Sequence, residues 1–250
     1  MRRVRIDSQA VRHPFFSSTR PLVFAHRGGS ALAPENTIAA FDNGLGLGAD
    51  GIELDVHLSS DSAVVVHHDR TLERTTSLEG PVASRTAVEL ERADVPRLAD
   101  VLVRYPAARI IIEMKVNSRA LAAAVIDDVR RASAIDRVCL GAFGRRVLRA
   151  ARTLDPRIAT SAAREEVRWA LYRSWARWPV RRTAYAGYQV PEIAGSTRVV
   201  SPRFVDYAHR AGLGVQVWTV DDEADARRLL AWGVDALITD RPDLIVPLCN

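Results

Sequence analysis

Gly51-Ile52-Glu53-Leu54-Asp55-Val56 reads as a β-strand that carries two carboxylates where a buried strand should be apolar. Side chains alternate across a strand, so Glu53 and Asp55 point to the same side. Paired carboxylates repel each other and are costly to bury. A cation must hold them, and a divalent metal is the simplest candidate. Downstream, Arg109-Ile110-Ile111-Ile112-Glu113-Met114-Lys115 repeats the device, with two same-face charges ending an apolar run. Lys115 is the only lysine in a chain that otherwise uses arginine. A compact ammonium is not interchangeable with a guanidinium fork at a tight polar site, so its placement reads as a chemical requirement.

Outward from these two runs, the chain alternates short apolar segments with longer helical patterns. The predicted strands are Leu22–His26, Asp50–Val56, Arg109–Glu113, Arg137–Leu140, Arg157–Ser161, Tyr185–Gln189, Gly214–Thr219 and Asp235–Thr239. Helical periodicity falls near 35–47, 97–105, 118–133, 144–154, 163–178, 202–211 and 222–232, with Pro202 a start signal and Gly212 and Gly233 stop signals. Strand–helix alternation implies parallel strands joined by right-handed crossovers. Eight such units predict an α/β protein with a closed (β/α)8 TIM barrel, with an open doubly wound sheet as the runner-up. The barrel is favoured because His26, Arg27, Glu53, Asp55, Glu113, Lys115 and Trp218 all fall at or near the C-terminal ends of strands, which converge on one mouth only in a barrel.

The expected organisation is a single domain over 21–250, preceded by a flexible, arginine-rich arm over 1–20. After the second strand, Asp61–Val66 predicts a hairpin extension, followed by His67-His68-Asp69. Residues 70–96 have little periodicity and are predicted to form a short excursion over the barrel mouth. Gly44, Gly46 and Gly48 close a helix and lead into a strand, the reverse of a dinucleotide fingerprint, so they read as turn glycines.

Composition narrows the function. In 250 residues, 48% apolar and 26% charged content is ordinary for a soluble globular protein. The net charge of +5 fits mild attraction to phosphates or acidic lipid. With no basic-aromatic module of a known binding type, no nucleic-acid partner is expected. The two cysteines, Cys139 and Cys249, supply neither a disulfide framework nor a metal-type spacing. No secretory h-region and no membrane-length apolar run is present, so a cytoplasmic location is expected.

Each constellation suggests a chemistry. His26 ends the first strand as a candidate general acid or base. Arg27 offers a fork for phosphate oxygens, and Gly28-Gly29 allows a tight turn. Glu53, Asp55 and Glu113 read as a hard-oxygen ligand set for one divalent cation, Mg2+ or Ca2+, the alternative being ion pairs with arginines from neighbouring strands. His68, beside Asp69, is the better catalytic candidate of its pair, and His67 the structural one. Trp218 is placed either to wall a substrate pocket or to pack in the barrel core. Across 168–182 lies an aromatic and arginine-rich segment. On a helical wheel Trp169, Leu171, Tyr172, Trp175, Ala176 and Trp178 share about half the circumference, opposite Arg173 and Arg177, although Arg168 breaks the apolar arc. This is the pattern of a packed helix or of one in peripheral contact with a membrane surface.

Taken in order, Ala25-His26-Arg27-Gly28, Pro34-Glu35-Asn36-Thr37, Gly51–Val56, His68-Asp69 with Thr71–Thr76, Glu113-Met114-Lys115, Val217–Val220 and Ile238-Thr239-Asp240-Arg241-Pro242 resemble the glycerophosphodiester phosphodiesterase family from about residue 22 to 244. The resemblance implies a barrel, one divalent metal, and hydrolysis of glycerol phosphodiesters to glycerol 3-phosphate and an alcohol. It maps the metal carboxylates onto Glu53, Asp55 and Glu113 and the catalytic histidines onto His26 and His68. Arg27 and Lys115 would add positive charge around the phosphoryl oxygens. His26 would act as base and His68 as acid, or the reverse. The nucleophile is either the glycerol 2-hydroxyl, giving a cyclic phosphate that water opens, or water itself. A phospholipase D-like or lysophospholipase D-like action on a lipid headgroup is the alternative, and a catalytically silent phosphate-binding barrel the third. The chain departs from the family's pattern at Asp221, where asparagine is usual, and in a shorter 70–96 excursion. Both departures are expected to bear on substrate choice.

Overall fold

A computed structural model describes residues 13–179 and 183–249. Strand β1 (Leu22–His26) leads to α1 (Ile38–Gly46) and β2 (Gly51–Leu58), and β3 (Val64–Val66) folds back antiparallel on β2. Helices α2 (Ala87–Glu91) and α3 (Leu98–Arg104) precede β4 (Arg109–Met114). The alternation continues through α4 (Arg119–Arg131), β5 (Val138–Gly141), α5 (Arg145–Leu154), β6 (Ala159–Thr160), α6 (Arg164–Trp175) and β7 (Gly187–Pro191). A small hairpin, β8 (Ile193–Ala194) and β9 (Thr197–Arg198), interrupts it. Then come α7 (Pro202–His209), β10 (Gly214–Trp218), α8 (Glu223–Ala231), β11 (Ala236–Thr239) and α9 (Pro242–Ile245).

Eight strands lie in the order β6-β5-β4-β2-β1-β11-β10-β7, parallel at each pairing. Between β6 and β7 the sheet nearly closes through a parallel bridge, Ser161 to Gly187, with Ala162 N donating to Gly187 O at 2.9 Å. This is the expected (β/α)8 barrel. Strand alternation sorts its residues. Ile52, Leu54 and Val56 face outward into the layer shared with the helices, whereas Phe24, Ile111, Cys139 and Ile238 fill the interior. The helices dock by stripes of the right period. In α4, Leu121, Ala122, Val125, Ile126 and Val129 are buried, and the Ser118 hydroxyl caps the start by accepting from Leu121 N.

Residues 1–12 of the expected arm lie outside the described residues, and the rest of it is not a loose arm. Pro14–Phe16 forms a 3-10 turn whose Phe15 and Phe16 are buried in the barrel's interior cluster. Phe15 stacks on Phe24 at 5.8 Å between ring centroids. Phe16 lies over the starts of β7 and β10, where a Cβ on Gly187 or Gly214 would come within 2.6 or 2.3 Å of its ring. The two glycines make room for an aromatic plug at the lower end of the barrel.

The 70–96 excursion also differs from expectation. Leu72, Val82, Ala87, Leu90 and Val95 bury their apolar groups against Val65 in a satellite cluster. It therefore packs against the β2–β3 hairpin and sends Arg74 to Asp69 and Glu35, but among the described residues none from 70–96 lines the mouth cavity. Its helix α2 begins with a capping box. Thr86 and Glu89 satisfy each other's backbone N–H groups.

Candidate active site

The turn after β1 aims the first charged groups. Arg27, Gly28 and Gly29 adopt positive φ of 50°, 89° and 92° in succession. Gly28 also lets the turn press on α1, because a Cβ there would fall 2.6 Å from the Ala40 Cβ. The turn brings Arg27 N to 3.2 Å from Glu53 Oε2, and Arg27 Nε to 3.2 Å from Asp55 Oδ2. Asn36 fixes Asp55 from the other side, donating from Nδ2 to Oδ2 at 3.0 Å and accepting from Asp55 N at 3.3 Å. Lys115 Nζ lies 3.3 Å from Asp55 Oδ1.

Glu113 is paired in register with Asp55 on the neighbouring strand. Its carboxylate sits over Gly141, where a Cβ would be 2.6 Å from Oε2, and Oε1 is buried with no hydrogen-bond partner. Burial pushes the Glu113 carboxyl up to about 8, with the negative charges of Glu53 and Asp55 adding to the effect and Lys115 opposing it. Burial, and then repulsion from Asp55, raises Glu53 above the ordinary carboxylate range as well.

Each candidate histidine is held by a carboxylate. His26 Nδ1 lies 2.6 Å from Asp240 Oδ1, and Ser30 Oγ donates to the same oxygen. Burial opposes the charged ring, but the Asp240 hydrogen bond and the charges of Glu53 and Asp240 outweigh it and raise the His26 pKa. His26 Nε2 faces Glu53 at 3.8 Å. His68 Nδ1 lies 2.6 Å from Asp69 Oδ1, and Arg74 Nε donates to Asp69 Oδ2. Arg74 also forks onto Glu35 at 2.9 and 2.7 Å, and Glu35 in turn accepts from Arg27 at 3.1 Å. A continuous chain of charges therefore runs His68–Asp69–Arg74–Glu35–Arg27–Asp55–Lys115. The His67 ring is occupied with the Thr71 carbonyl at 3.0 Å.

A cavity of about 1040 Å³ opens at this end of the barrel. His26, Arg27, Glu53, Asp55, His68, Glu113, Lys115 and Trp218 all line it, so the structure brings the sequence-predicted residues together. The supporting residues Asn36, Glu35, Arg74 and Asp240 had no role assigned from sequence. The signal for them lay within Pro34-Glu35-Asn36-Thr37, Thr71–Thr76 and Thr239-Asp240-Arg241-Pro242. Asp221 does not face the cavity as its suggested bearing on substrate would need. Its Oδ1 accepts from Thr239 Oγ1 at 2.9 Å and from Asp240 N at 2.7 Å, anchoring the residue that holds His26.

The three carboxylates suit a hard divalent cation in donor chemistry. Among the described residues no three His, Cys, Asp or Glu groups stand in ready-made ligand geometry. What fits a cation is the orphaned Glu113 Oε1 together with two buried carboxyls whose charge is disfavoured where they stand. All-oxygen donors match Mg2+ or Ca2+ rather than a thiophilic metal.

Of the segment 168–182, residues 180–182 lie outside the described residues. Helix α6 ends at Trp175 with Ala176 as its cap, so Trp178 stands past the helix rather than on the aromatic arc. Trp169, Tyr172, Trp175 and Trp178 are all exposed, and Arg173 lies over the Trp178 ring. No described helix is long and apolar enough to cross a membrane.

Comparison with known proteins finds relatives in both sequence and fold. Residues 26–244 match the glycerophosphoryl diester phosphodiesterase family. The chain is 30% identical over 247 residues to a glycerophosphodiester phosphodiesterase of Caldanaerobacter subterraneus, covering 92% of this chain and 98% of that protein. It is 32% identical to a glycerophosphodiester phosphodiesterase of Bacillus altitudinis, covering 90% and 97%. Among solved structures, a phosphodiesterase of Oleispira antarctica in complex with the product sn-glycerol-3-phosphate superposes with a TM-score of 0.74 at 26% identity, covering 91% and 96%. With the match running from the end of its first strand to its last helix, this chain belongs to the glycerophosphoryl diester phosphodiesterase family.

Proposed function

We propose that this chain hydrolyses glycerophosphodiesters to sn-glycerol 3-phosphate and an alcohol. The carrying observation is the meeting, in one cavity, of two carboxylate-held histidines with three carboxylates and two fixed cations. The names of the related proteins and the product held by the Oleispira neighbour support the substrate class.

A phosphodiester is an anion and repels an anionic nucleophile. Arg27 and Lys115 supply positive charge beside Asp55, where they would draw in the phosphoryl oxygens. Glu53, Asp55 and Glu113 would hold one divalent cation, Mg2+ or Ca2+. When bound, such an ion neutralises phosphate charge and lowers the pKa of a coordinated hydroxyl. His26, with Nδ1 taken by Asp240, keeps Nε2 for proton transfer, and we assign it as base. His68, oriented by Asp69, is assigned as the acid that protonates the leaving alkoxide. Each such transfer typically contributes about 10²–10⁴-fold. Trp218 forms an apolar wall against the substrate's carbon skeleton. We place the enzyme in the cytoplasm, in peripheral contact with a membrane through the exposed aromatics of 168–179. A lysophospholipase D-like action is the second reading, favoured by those same aromatics.

Purified protein with Mg2+ or Ca2+ should release glycerol 3-phosphate from glycerophosphocholine, and EDTA should stop it. His26→Ala should lose most turnover while keeping its circular dichroism spectrum. Full activity in that variant would defeat the assignment.

A further inference from the structure

The Asp69 carboxylate sets the rotation of the His68 ring, and a separate contact sets where the His68 backbone stands. Strand β3 ends at Val66, and His67 N makes the last backbone rung to β2, donating to Asp55 O at 2.9 Å. His68 makes no rung. Its carbonyl accepts from His57 Nε2 at 3.1 Å instead. A carbonyl oxygen can only accept, so Nε2 carries the proton. Among the described residues this is the one hydrogen bond to the His68 backbone.

His57 follows Glu53 and Asp55 on β2 at the same two-residue interval, so the three side chains leave the strand on one face. Unlike the two carboxylates it does not line the mouth cavity, and at 4% exposure it is out of a substrate's reach. The hairpin explains its contact. Pairing of Val56 with Val66 and of His57 with Val65 turns the chain back alongside β2, and the loop that follows brings the His68 carbonyl to the ring. One strand therefore carries two of the floor's carboxylates and, by its next side chain on that face, grips the residue that bears the second histidine. The other ties of this loop act on the neighbours of His68. Arg74 holds the Asp69 side chain, and the His67 ring takes the Thr71 carbonyl at 3.0 Å.

We propose that His57 is a positioning residue for His68, strapping its carbonyl to β2 and so fixing the acid at a set distance from the carboxylate floor. The inference rests on the phosphodiesterase reading, in which His68 protonates the leaving alkoxide. Such a transfer needs donor and acceptor about 2.6–3.2 Å apart. A misplacement of about 1 Å can cost on the order of 10²-fold in rate. With the strap gone, Asp69 still orients the ring, but ring and carboxylate shift together relative to Glu53 and Asp55. The loss therefore falls on the proton transfer and not on substrate binding.

Two replacements of His57 separate the hydrogen bond from bulk. Leucine fills the space with no donor, and glutamine presents an amide N–H near the place of Nε2. With glycerophosphocholine as substrate, His57→Leu should lower kcat about tenfold with KM within about twofold, and His57→Gln should keep kcat within about threefold of the parent. His57→Met makes the same comparison if the leucine variant does not fold. A double-mutant cycle tells positioning of His68 from general support of the fold. Placed on His68→Ala, His57→Leu should lower the residual kcat less than about twofold, because the residue it acts through is already gone. Hydrogen exchange at the His67 amide reads the strap without turnover. It should quicken about tenfold in His57→Leu and stay near the parent's rate in His57→Gln. Unchanged kcat in His57→Leu, an equal loss in His57→Gln, or a further tenfold loss on His68→Ala each overturns the positioning role. A parent that turns over no diester overturns the phosphodiesterase reading instead, and equal exchange at His67 in parent and leucine variant overturns the strap itself.

Discussion

Asp240 reaches across the barrel seam between β11 and β1 to hold His26, its Oδ1 lying 2.6 Å from Nδ1 although the two residues are 214 positions apart. The pair fixes the ring's orientation and leaves Nε2 facing the cavity floor. Asp240→Asn should therefore lower kcat about 10–100-fold with little change in thermal unfolding, since the fold places no other demand on that carboxylate than His26 and Ser30. Steady-state kinetics alongside a melting curve checks it. Unchanged kcat would remove Asp240 from the reaction.

Arg74 is the clamp of the second histidine. Its fork holds Asp69 and Glu35 together. Lysine has no planar fork with which to bridge both carboxylates. Arg74→Ala and Arg74→Lys should each reduce kcat about tenfold, with KM moving less than kcat. A full rescue by lysine would show that charge alone matters there.

Metal dependence can be separated from turnover. Glu113→Gln removes a buried carboxyl whose Oε1 has no partner. Without metal and above about pH 8, where the parent carries the charge, the variant should be as stable as the parent or more stable by about 1 kcal/mol, because a costly buried charge is gone. Calorimetric titration with Mg2+ or Ca2+ should show weakened binding. Retained affinity would take Glu113 out of the ligand set.

The aromatic plug makes a stability prediction. Phe16→Ala empties the space over Gly187 and Gly214 and should cost about 3–5 kcal/mol. Urea denaturation reads this directly. A loss below about 1 kcal/mol would mean that the lower end collapses around the missing ring.

Asp155 gives the pH dependence. This buried carboxylate accepts from Arg157 at 2.7 and 2.9 Å and from Arg130 at 2.9 Å. The Arg157 hydrogen bonds, helped by Arg130 and opposed by burial, hold its pKa well below the usual carboxylate range. A lowered folded-state pKa means that the stabilisation is complete above the unfolded value of about 3.9 and is lost as pH falls through the folded value. Asp155→Asn should destabilise by about 1.5–3 kcal/mol near neutral pH, and the gap should shrink on acidification. Denaturation curves at about pH 7 and about pH 3 with equal gaps would contradict this.

What was legible in the sequence follows the reach of each signal. Ile52, Leu54 and Val56 alternating with Glu53 and Asp55 declare both the strand and its charged face, because that information is local. The convergence of β1, β2, β4 and β10 at one mouth followed from strand count and crossover handedness. Asp240 could not be assigned a role from spacing, since its contact with His26 depends on barrel closure. Phe15 and Phe16 sit among arginines and serines, and two apolar residues are too short a run to signal a buried segment. The burial of Phe16 depends on two glycines about 170 and 200 residues downstream, and Phe15 stacks on Phe24. The start of α2 was readable in Thr86-Ala87-Val88-Glu89, but its five residues carry too little periodicity to show as a helix. Trp178 fits a helical wheel drawn through it, and only the cap at Ala176 takes it off the helix.

The phenylalanine plug and the acidic cluster occupy opposite ends of the same barrel. Neither Phe15 nor Phe16 lines the mouth cavity, so the plug can be altered without replacing a residue that a substrate would touch. A thermostabilised variant, or a surface attachment that must leave turnover intact, belongs at the end of the molecule where Phe15 and Phe16 sit. Changes meant to redirect specificity belong at the other.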